Sequence, residues 1–321
     1  GYNQALINFA FRALPVIIFF SSLIAATYHL GVIQIIIKNI AKVMEKTMKT
    51  SGAETLSISA NIFVGQTEAP ILIRPYISKM TNSELMTVMV GGFSTVAGSV
   101  MALYVTWLNN IPEIAGHLLA ASVMSAPAAL MVAKIIYPET KSYQIISSNS
   151  INLKSQDNNL VDAIGRGATD GLKLAANVAA MLIAFISLVA MINFILGLLG
   201  TSMQEMLGLL FKPLAWTMGI PWADAKIVGT LMGEKIVLTE LIAFRDLSDY
   251  VSNNTISERS VIITSYALCG FANFGSIGIQ LGGIGSMAPK RKKDLSKLVF
   301  KAMLGGAIAS WLTASIVGIL I

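Results

Sequence analysis

The stretch ELMTVMVGGFSTVAGSVMALYVTW, residues 84–107, decides how the chain is to be read. At about 1.5 Å of rise per residue it is long enough to cross the hydrocarbon of a bilayer. Its two ends are apolar, but glycines and polar residues interrupt its middle, where Gly92-Phe93-Ser94-Thr95-Val96-Ala97-Gly98-Ser99 lies. Such a centre predicts two half-helices around a break rather than one continuous span. Residues 259–287 have the same character, with Gly270-Phe271-Ala272-Asn273-Phe274-Gly275-Ser276 at their centre.

Four ordinary spanning segments are expected on either side, at 12–30, 113–137, 174–199 and 298–321. Two further stretches, 52–80 and 222–248, are apolar in halves too short to span, each with a polar, charged centre, and read as hairpins that dip into the membrane and return. Segment 31–49 sets Val32, Ile35, Ile36, Ile40 and Val43 against Lys38, Lys42, Lys46 and Lys49, a pattern suited to lying in the interface. Residues 138–160 read as a solvent loop.

Composition agrees. Of the 321 residues 55% are hydrophobic and only 12% charged, and the mean hydropathy of +0.70 is that of a chain dissolved in lipid. The net charge of +6 does not point to a nucleic-acid polymer, because the basic residues flank apolar segments and are not interleaved with aromatics. Cys269 is the single cysteine, which excludes an intrachain disulfide and a Cys-based zinc site. The chain enters its first apolar segment from Gly1 with no signal-peptide pattern, and further residues upstream are expected.

The order hairpin, broken helix, intact helix occurs twice, at 52–137 and 222–321. Residues 1–51 supply a scaffold helix and a cytoplasmic interfacial helix, and 138–221 a cytoplasmic loop with interfacial and scaffold helices. If each hairpin returns to its own side, 17 of the 23 Lys and Arg fall on one face, leaving Arg12, Lys212, Lys226, Lys235, Arg245 and Arg259 opposite. The positive-inside rule makes the first face, with loop 290–301, cytoplasmic and puts the C-terminus outside. One copy of the repeat then enters from inside and the other from outside. The fold class is an all-α polytopic membrane protein built on an inverted repeat, a design that places binding at the repeat interface. Within it, Ser83-Glu84 pairs with Ser257-Glu258, and each Gly-Phe is followed by a polar residue and Gly-Ser.

Glu68 and Glu240 sit in the middle of the two dips. A carboxylate at that depth is costly and belongs in a cavity with a partner, although the wet end of a short helix would also hold one. Carboxylates accept from sugar hydroxyls and amides read a base edge, so a polar ligand with several hydroxyls suits the place. Asn61 and Thr95, with the carbonyls of Val64 and Val96, make an oxygen nest suited to a small cation. The same two side chains could instead cap the hairpin turn and back-bond to a helix. No Ser-His-Asp order, metal-ligand cluster or phosphate loop is present, and His29 and His117 fall at helix ends.

In these residues the chain resembles the concentrative nucleoside transporter family in its bacterial form. The resemblance is carried by Gly65-Gln66-Thr67-Glu68-Ala69-Pro70, Ile73-Arg74-Pro75-Tyr76, Val96-Ala97-Gly98-Ser99, Asn177 through Phe185, Glu240, Phe271-Ala272-Asn273-Phe274, Ser276-Ile277 and Ala288-Pro289-Lys290, and covers essentially the whole chain. It implies a homotrimer in the bacterial inner membrane that imports nucleosides such as uridine, is not an enzyme, and normally carries two more helices ahead of residue 12. It implies base contacts from Gln66, Thr67 and Glu68 with Gly65 at the tip and Val100 beside the base. Glu240, Asn273 and Ser276 would take the ribose, with Phe271 packed on the ligand. Sodium would be the coupling ion, held by Asn61, Val64, Thr95 and Val96. Thr239, Gly275 and the Glu234 of Met232-Gly233-Glu234-Lys235 depart from the common pattern. Proton coupling through Glu68 or Glu240 is the alternative, and from other classes a membrane-embedded enzyme or a channel.

Overall fold

The computed structural model describes residues 14–140, 151, 153 and 157–321, and all regular structure among them is helical. Arg12, at the head of the first expected span, and residues 141–150, 152 and 154–156 of the expected solvent loop lie outside the described residues. In chain order, α1 (Leu14–His29) and α2 (Val32–Met48) meet at a 75° bend. The first hairpin is α3 (Gly52–Asn61), a turn, a 3-10 stretch Ala69–Ile73 and the short α4 (Arg74–Ile77). The first broken helix is α5 (Asn82–Ser94) and α6 (Gly98–Trp107), followed by α7 (Ile114–Ile136). Then come α8 (Leu160–Gly197) and α9 (Met203–Thr217), the second hairpin α10 (Ala225–Val237) and α11 (Glu240–Ser252), the second broken helix α12 (Glu258–Leu268) and α13 (Phe274–Met287), and α14 (Lys292–Leu320).

Local chemistry sets these boundaries. Thr81 and Glu84 form a capping box at the head of α5: Glu84 N–H donates to Thr81 Oγ1 at 3.1 Å and Thr81 N–H to Glu84 Oε2 at 2.8 Å. Ser257 and Asn273 cap α12 and α13 through their side-chain oxygens. The returning limb of the first hairpin breaks into short pieces because Pro70 and Pro75 remove backbone donors. That of the second, without proline, is one helix of 13 residues. Helix α14 ends against Arg259, whose guanidinium donates to the carbonyls of Gly318, at 2.7 Å, and Ile321, a favourable charge at a helix C-terminus.

Asn82–Trp107, Ile114–Ile136 and Pro289–Leu320 are long and apolar enough to cross a membrane, and the bent α1–α2 pair could count as a fourth span. In α2 the face buried against protein is Ile33, Ile37, Ala41 and Met44, whereas Val32, Ile35, Ile36 and Val43 point outward beside exposed Lys42 and Lys46. The outward face is thus mixed apolar and basic, as the sequence pattern has it. Helix α8 begins 14 residues earlier than the apolar segment expected from residue 174. Its added turns are polar, and Arg166 pairs with Asp157 at 2.6 Å and Asp170 at 3.4 Å.

The apolar core falls into two large clusters with an exchanged composition. One joins the second hairpin and α12 to α6, the half-helix after the first break (Val100, Tyr104, Leu231, Phe244, Leu268). The other joins the first hairpin and α5 to Ile284 of α13, after the second break (Leu56, Ile73, Met89, Phe93, Ile284). Each half of the molecule therefore holds the hairpin and leading half-helix of one repeat and the trailing half-helix of the other. Two inverted copies interlock in this way, with Val96 and Ala97 of the first break in the first cluster and the second break shared between Cys269 in the first and Ala272 in the second.

The register within the repeat differs from expectation. Ser257 is the N-cap of α12, whereas the matching cap is Thr81 and Ser83 lies inside α5. Gly92-Phe93 falls in the last turn of α5, but Gly270-Phe271 forms the second break itself. The Gly-Ser pairs both open trailing half-helices.

Candidate functional site

The two breaks touch. Phe271 N–H donates to Thr95 O at 3.3 Å, and Gly270 adopts φ 146°, open to glycine but strained for other residues. A Cβ on Gly270 would lie 2.8 Å from Phe93 O and 2.9 Å from Ser310 Oγ, so the close approach also requires glycine.

Around this contact the hairpin tips and the start of α13 form one hydrogen-bonded relay. Glu240, 4% exposed at the first turn of α11, receives Tyr104 Oη on Oε1 at 3.2 Å. Its Oε2 receives Asn273 Nδ2 at 2.8 Å and Thr239 Oγ1 at 3.2 Å. An isolated buried carboxylate is costly, and three donors over two oxygens offset that cost. Asn273 Oδ1 accepts Ser276 N–H at 2.8 Å, and because a backbone N–H can only donate, the Asn273 amide orientation follows. Ser276 Oγ accepts Gln66 Nε2 at 3.1 Å, and Gln66 Oε1 accepts Gln280 Nε2 at 3.1 Å. Gln280 Nε2 also donates to Met89 O at 3.0 Å. The relay thus runs from α6 through the second hairpin and the head of α13 to the tip of the first hairpin, and ends on α5.

Of the expected ligand contacts, Gln66, Glu240, Asn273 and Ser276 are buried and hydrogen-bonded together. Val100 is buried one turn before Tyr104 on α6, Phe271 is half-buried in the break, and half-buried Thr67 packs on Gly283 of α13, whose added Cβ would sit 2.7 Å from Thr67 Cγ2. Glu68 is not brought into the relay. It is exposed, and its Oε2 accepts the N–H of Gly65 in its own turn at 3.0 Å. The two carboxylates therefore differ: Glu240 is buried in a protein network, and Glu68 faces outward at the tip.

Sequence reading missed Tyr104, Gln280 and Lys235. Tyr104 is fully buried and stacks on Phe244 with ring centroids 4.0 Å apart. Lys235 is fully buried, donates to Ala267 O at 2.9 Å and interacts electrostatically with Glu240. Helical spacing was the available signal: Tyr104 follows Val100 by four, and Asn273, Ser276 and Gln280 follow i, i+3, i+7.

The two segments that carry the four expected cation ligands meet at one backbone hydrogen bond. Gly98 N–H donates to Phe63 O at 3.1 Å, which lays the turn after α3 against the first break. Asn61 is fully buried; its Nδ2 donates to Ser57 O at 3.2 Å, and its Oδ1 has no hydrogen-bond partner. Thr95 Oγ1 back-bonds to Gly91 O at 3.2 Å, as one of the two readings of that residue has it, and keeps lone pairs free. An orphaned buried acceptor beside unwound carbonyls suits a small hard cation. Among the described residues no group of three or more His, Cys, Asp or Glu gathers to hold a metal ion.

Comparison with known proteins places this architecture. The family described as "Na+ dependent nucleoside transporter C-terminus" matches residues 117–318, and the one described as "Nucleoside recognition" matches 10–111. Sodium/nucleoside cotransporter 1 of Rattus norvegicus is 43% identical over 99% of this chain and 52% of its own length, so the chain spans about half of that relative. The uncharacterized transporter YutK of Bacillus subtilis is 43% identical over 98% of this chain and 78% of its own. The solved structure of CNTnw in an inward-facing substrate-bound state superposes with a TM-score of 0.89 at 45% identity, over 97% of this chain and 74% of that one. A sequence match over most of the chain and a shared fold at this identity lead to one conclusion: the chain belongs to the Na+-dependent, or concentrative, nucleoside transporter family.

Proposed function

We propose that the protein is a sodium-coupled nucleoside symporter that works by alternating access. The observation that carries this reading is the relay through both hairpin tips and the head of α13, which gathers the buried Glu240 carboxylate, the amides of Asn273, Gln66 and Gln280 and the Ser276 hydroxyl between two interlocked repeats. Gln66, Thr67 and Glu68, with Gly65 at the tip and Val100 alongside, take the base; Glu240, Asn273 and Ser276 take the ribose hydroxyls, and Phe271 packs on the ligand. With Asn273 and Thr239 on Oε2 and Tyr104 on Oε1, Glu240 keeps one acceptor position on Oε1, which suits it to a ribose hydroxyl. Sodium travels as co-substrate on Asn61 Oδ1, Thr95 Oγ1 and the carbonyls of Val64 and Val96. The orphaned Asn61 Oδ1 supports that assignment. Because this nest adjoins Gly65, the ion orders the tip that meets the base, and ion and ligand raise each other's affinity.

The moving body in this reading is the pair of repeats, 52–137 and 222–321, against a scaffold containing α1 and α8. Those helices pack closely through Gly167 and Gly171, where added Cβ atoms would sit 2.7 Å from Ala25 Cβ and 2.8 Å from Ile18 Cα, the small-residue contact that membrane helices use. Farther along, α8 exposes Ile183, Leu188, Met191, Phe194 and Ile195, a surface for bilayer and for the neighbours of a homotrimer. The basic stretch 290–301, expected as a loop but folded into a 3-10 turn and the first turns of α14, lies in the cytoplasm and the C-terminus outside, across a bacterial inner membrane. Equilibrium binding of uridine in sodium or potassium tests the coupling: tighter binding in sodium is expected, and equal affinity would refute it.

A further inference from the structure

Gln280 is a polar side chain in the apolar run of α13, fully buried and two turns beyond Asn273. Its amide touches two acceptors with the same nitrogen: Met89 O at 3.0 Å and Gln66 Oε1 at 3.1 Å. Met89 O is a backbone carbonyl and can only accept, so Gln280 must present its NH2 there. Turning that amide over would set its oxygen against two acceptors, although Oε1 in the present orientation has no partner of its own. The NH2 of Gln280 fixes Gln66 with its oxygen toward Gln280, which in turn sends the Gln66 NH2 one turn back along α13 to Ser276 Oγ at 3.1 Å. That leaves the Ser276 hydroxyl proton, one Gln66 N–H and one Gln66 lone pair to face a ligand in fixed order. Gly92 makes the arrangement possible, since an added Cβ there would stand 2.6 Å from Gln280 Nε2.

We propose that Gln280 is a positioning residue that sets nucleobase specificity by locking the donor and acceptor order of Gln66. The inference rests on the proposed reading of Gln66 as a base contact and adds a residue outside the ligand shell. Uracil and cytosine distinguish a locked amide from a free one. Uracil presents a carbonyl beside a ring N–H, cytosine an amino group beside a bare ring nitrogen, so one orientation of Gln66 suits one base and the reverse suits the other. A locked Gln66 discriminates between them, and a Gln66 free to turn over reads both.

The test is competition binding of uridine and cytidine to the purified protein in sodium, for wild type, Gln280→Leu and Gly92→Ala. One mismatched hydrogen bond changes affinity about three- to tenfold, so wild type should separate the two nucleosides by that factor and both variants should bring the ratio toward one. Gly92→Ala keeps Gln280 and crowds its amide first, at 2.6 Å, with Gln66 Cβ farther off at 3.1 Å, so it reads the same lock if Gln280→Leu folds poorly. A wild-type ratio near one, or an unchanged ratio in either folded variant, overturns the proposal. Wild type binding neither nucleoside is a separate result that refutes the nucleoside reading itself and this proposal with it. A merely structural role for Gln280 would lower both affinities together and leave the ratio where it was, which also counts against the lock.

Discussion

Replacing Glu240 by Gln keeps the shape of the side chain and removes its charge, and the structure states what that costs. Glu240 offers two acceptor oxygens to Tyr104, Asn273 and Thr239. In Glu240→Gln one oxygen becomes an NH2 and meets a donor, so at least one charge-assisted bond is lost, to protein or to ribose. Such bonds contribute about 1.5–3 kcal/mol each, so uridine affinity should fall about 10- to 150-fold. Affinity loss alone does not identify the ribose as partner, and a double-mutant cycle does. Wild type should bind 2′- or 3′-deoxyuridine less tightly than uridine, and Glu240→Gln should shrink that penalty toward nothing for the hydroxyl that Glu240 holds. The assay is equilibrium binding in sodium, with a melting curve to confirm that the variant is folded. Wild-type affinity in Glu240→Gln, or a deoxy penalty of the same size in both proteins, would refute the ribose assignment.

Asn61→Ala removes the orphaned Oδ1, and the sodium concentration for half-maximal uridine binding should rise about tenfold or more, read from a sodium titration at fixed uridine. Lys235→Met removes the buried donor to Ala267 O and should cost about 1–3 kcal/mol of stability, measured as a lower melting temperature in detergent. Asp224, outside the spanning helices, has a carboxyl that burial pushes up but that bonds from Ser257 Oγ and Ser260 Oγ, both at 2.6 Å, and from Ser257 N–H hold below the ordinary range. A depressed folded value means stability present at neutral pH and lost as pH falls below about 4, the unfolded carboxyl's range. The melting-temperature advantage of wild type over Asp224→Asn should therefore be present at pH 7 and vanish in acid.

The broken helices were legible because glycine and polar residues interrupt an apolar run of spanning length, and a lipid-facing backbone has few ways to accommodate that. The hairpins were legible from their charged centres. What sequence misplaced was register: Gly92-Phe93 and Gly270-Phe271 look alike, but one closes a helix and the other is the break, a distinction made by packing of Gly270 on Phe93 and Ser310. The start of α8 was missed because its first turns carry Asp162, Arg166, Asp170 and Lys173, which read as loop, whereas Gly167 and Gly171 among them let the helix pack on α1. Gln280 was hidden for another reason. Its partners lie 214 and 191 residues away in the chain, and a single amide in an apolar helix carries no local sign of which carbonyl it will meet. Glu68 and Glu240 looked equivalent from the symmetry of their dips, yet only Glu240 lies at the first turn of a helix that packs against α6 and α12.

The most direct test of the account is uptake of radiolabelled uridine by the full-length protein in proteoliposomes, with an inward sodium gradient or with potassium in its place at the same ionic strength. The account predicts saturable accumulation of chemically unchanged uridine above the outside concentration with sodium, collapse of that accumulation when the gradient is dissipated, and only equilibration with potassium. Equal accumulation in the two salts, driven by an imposed pH gradient instead, would contradict it.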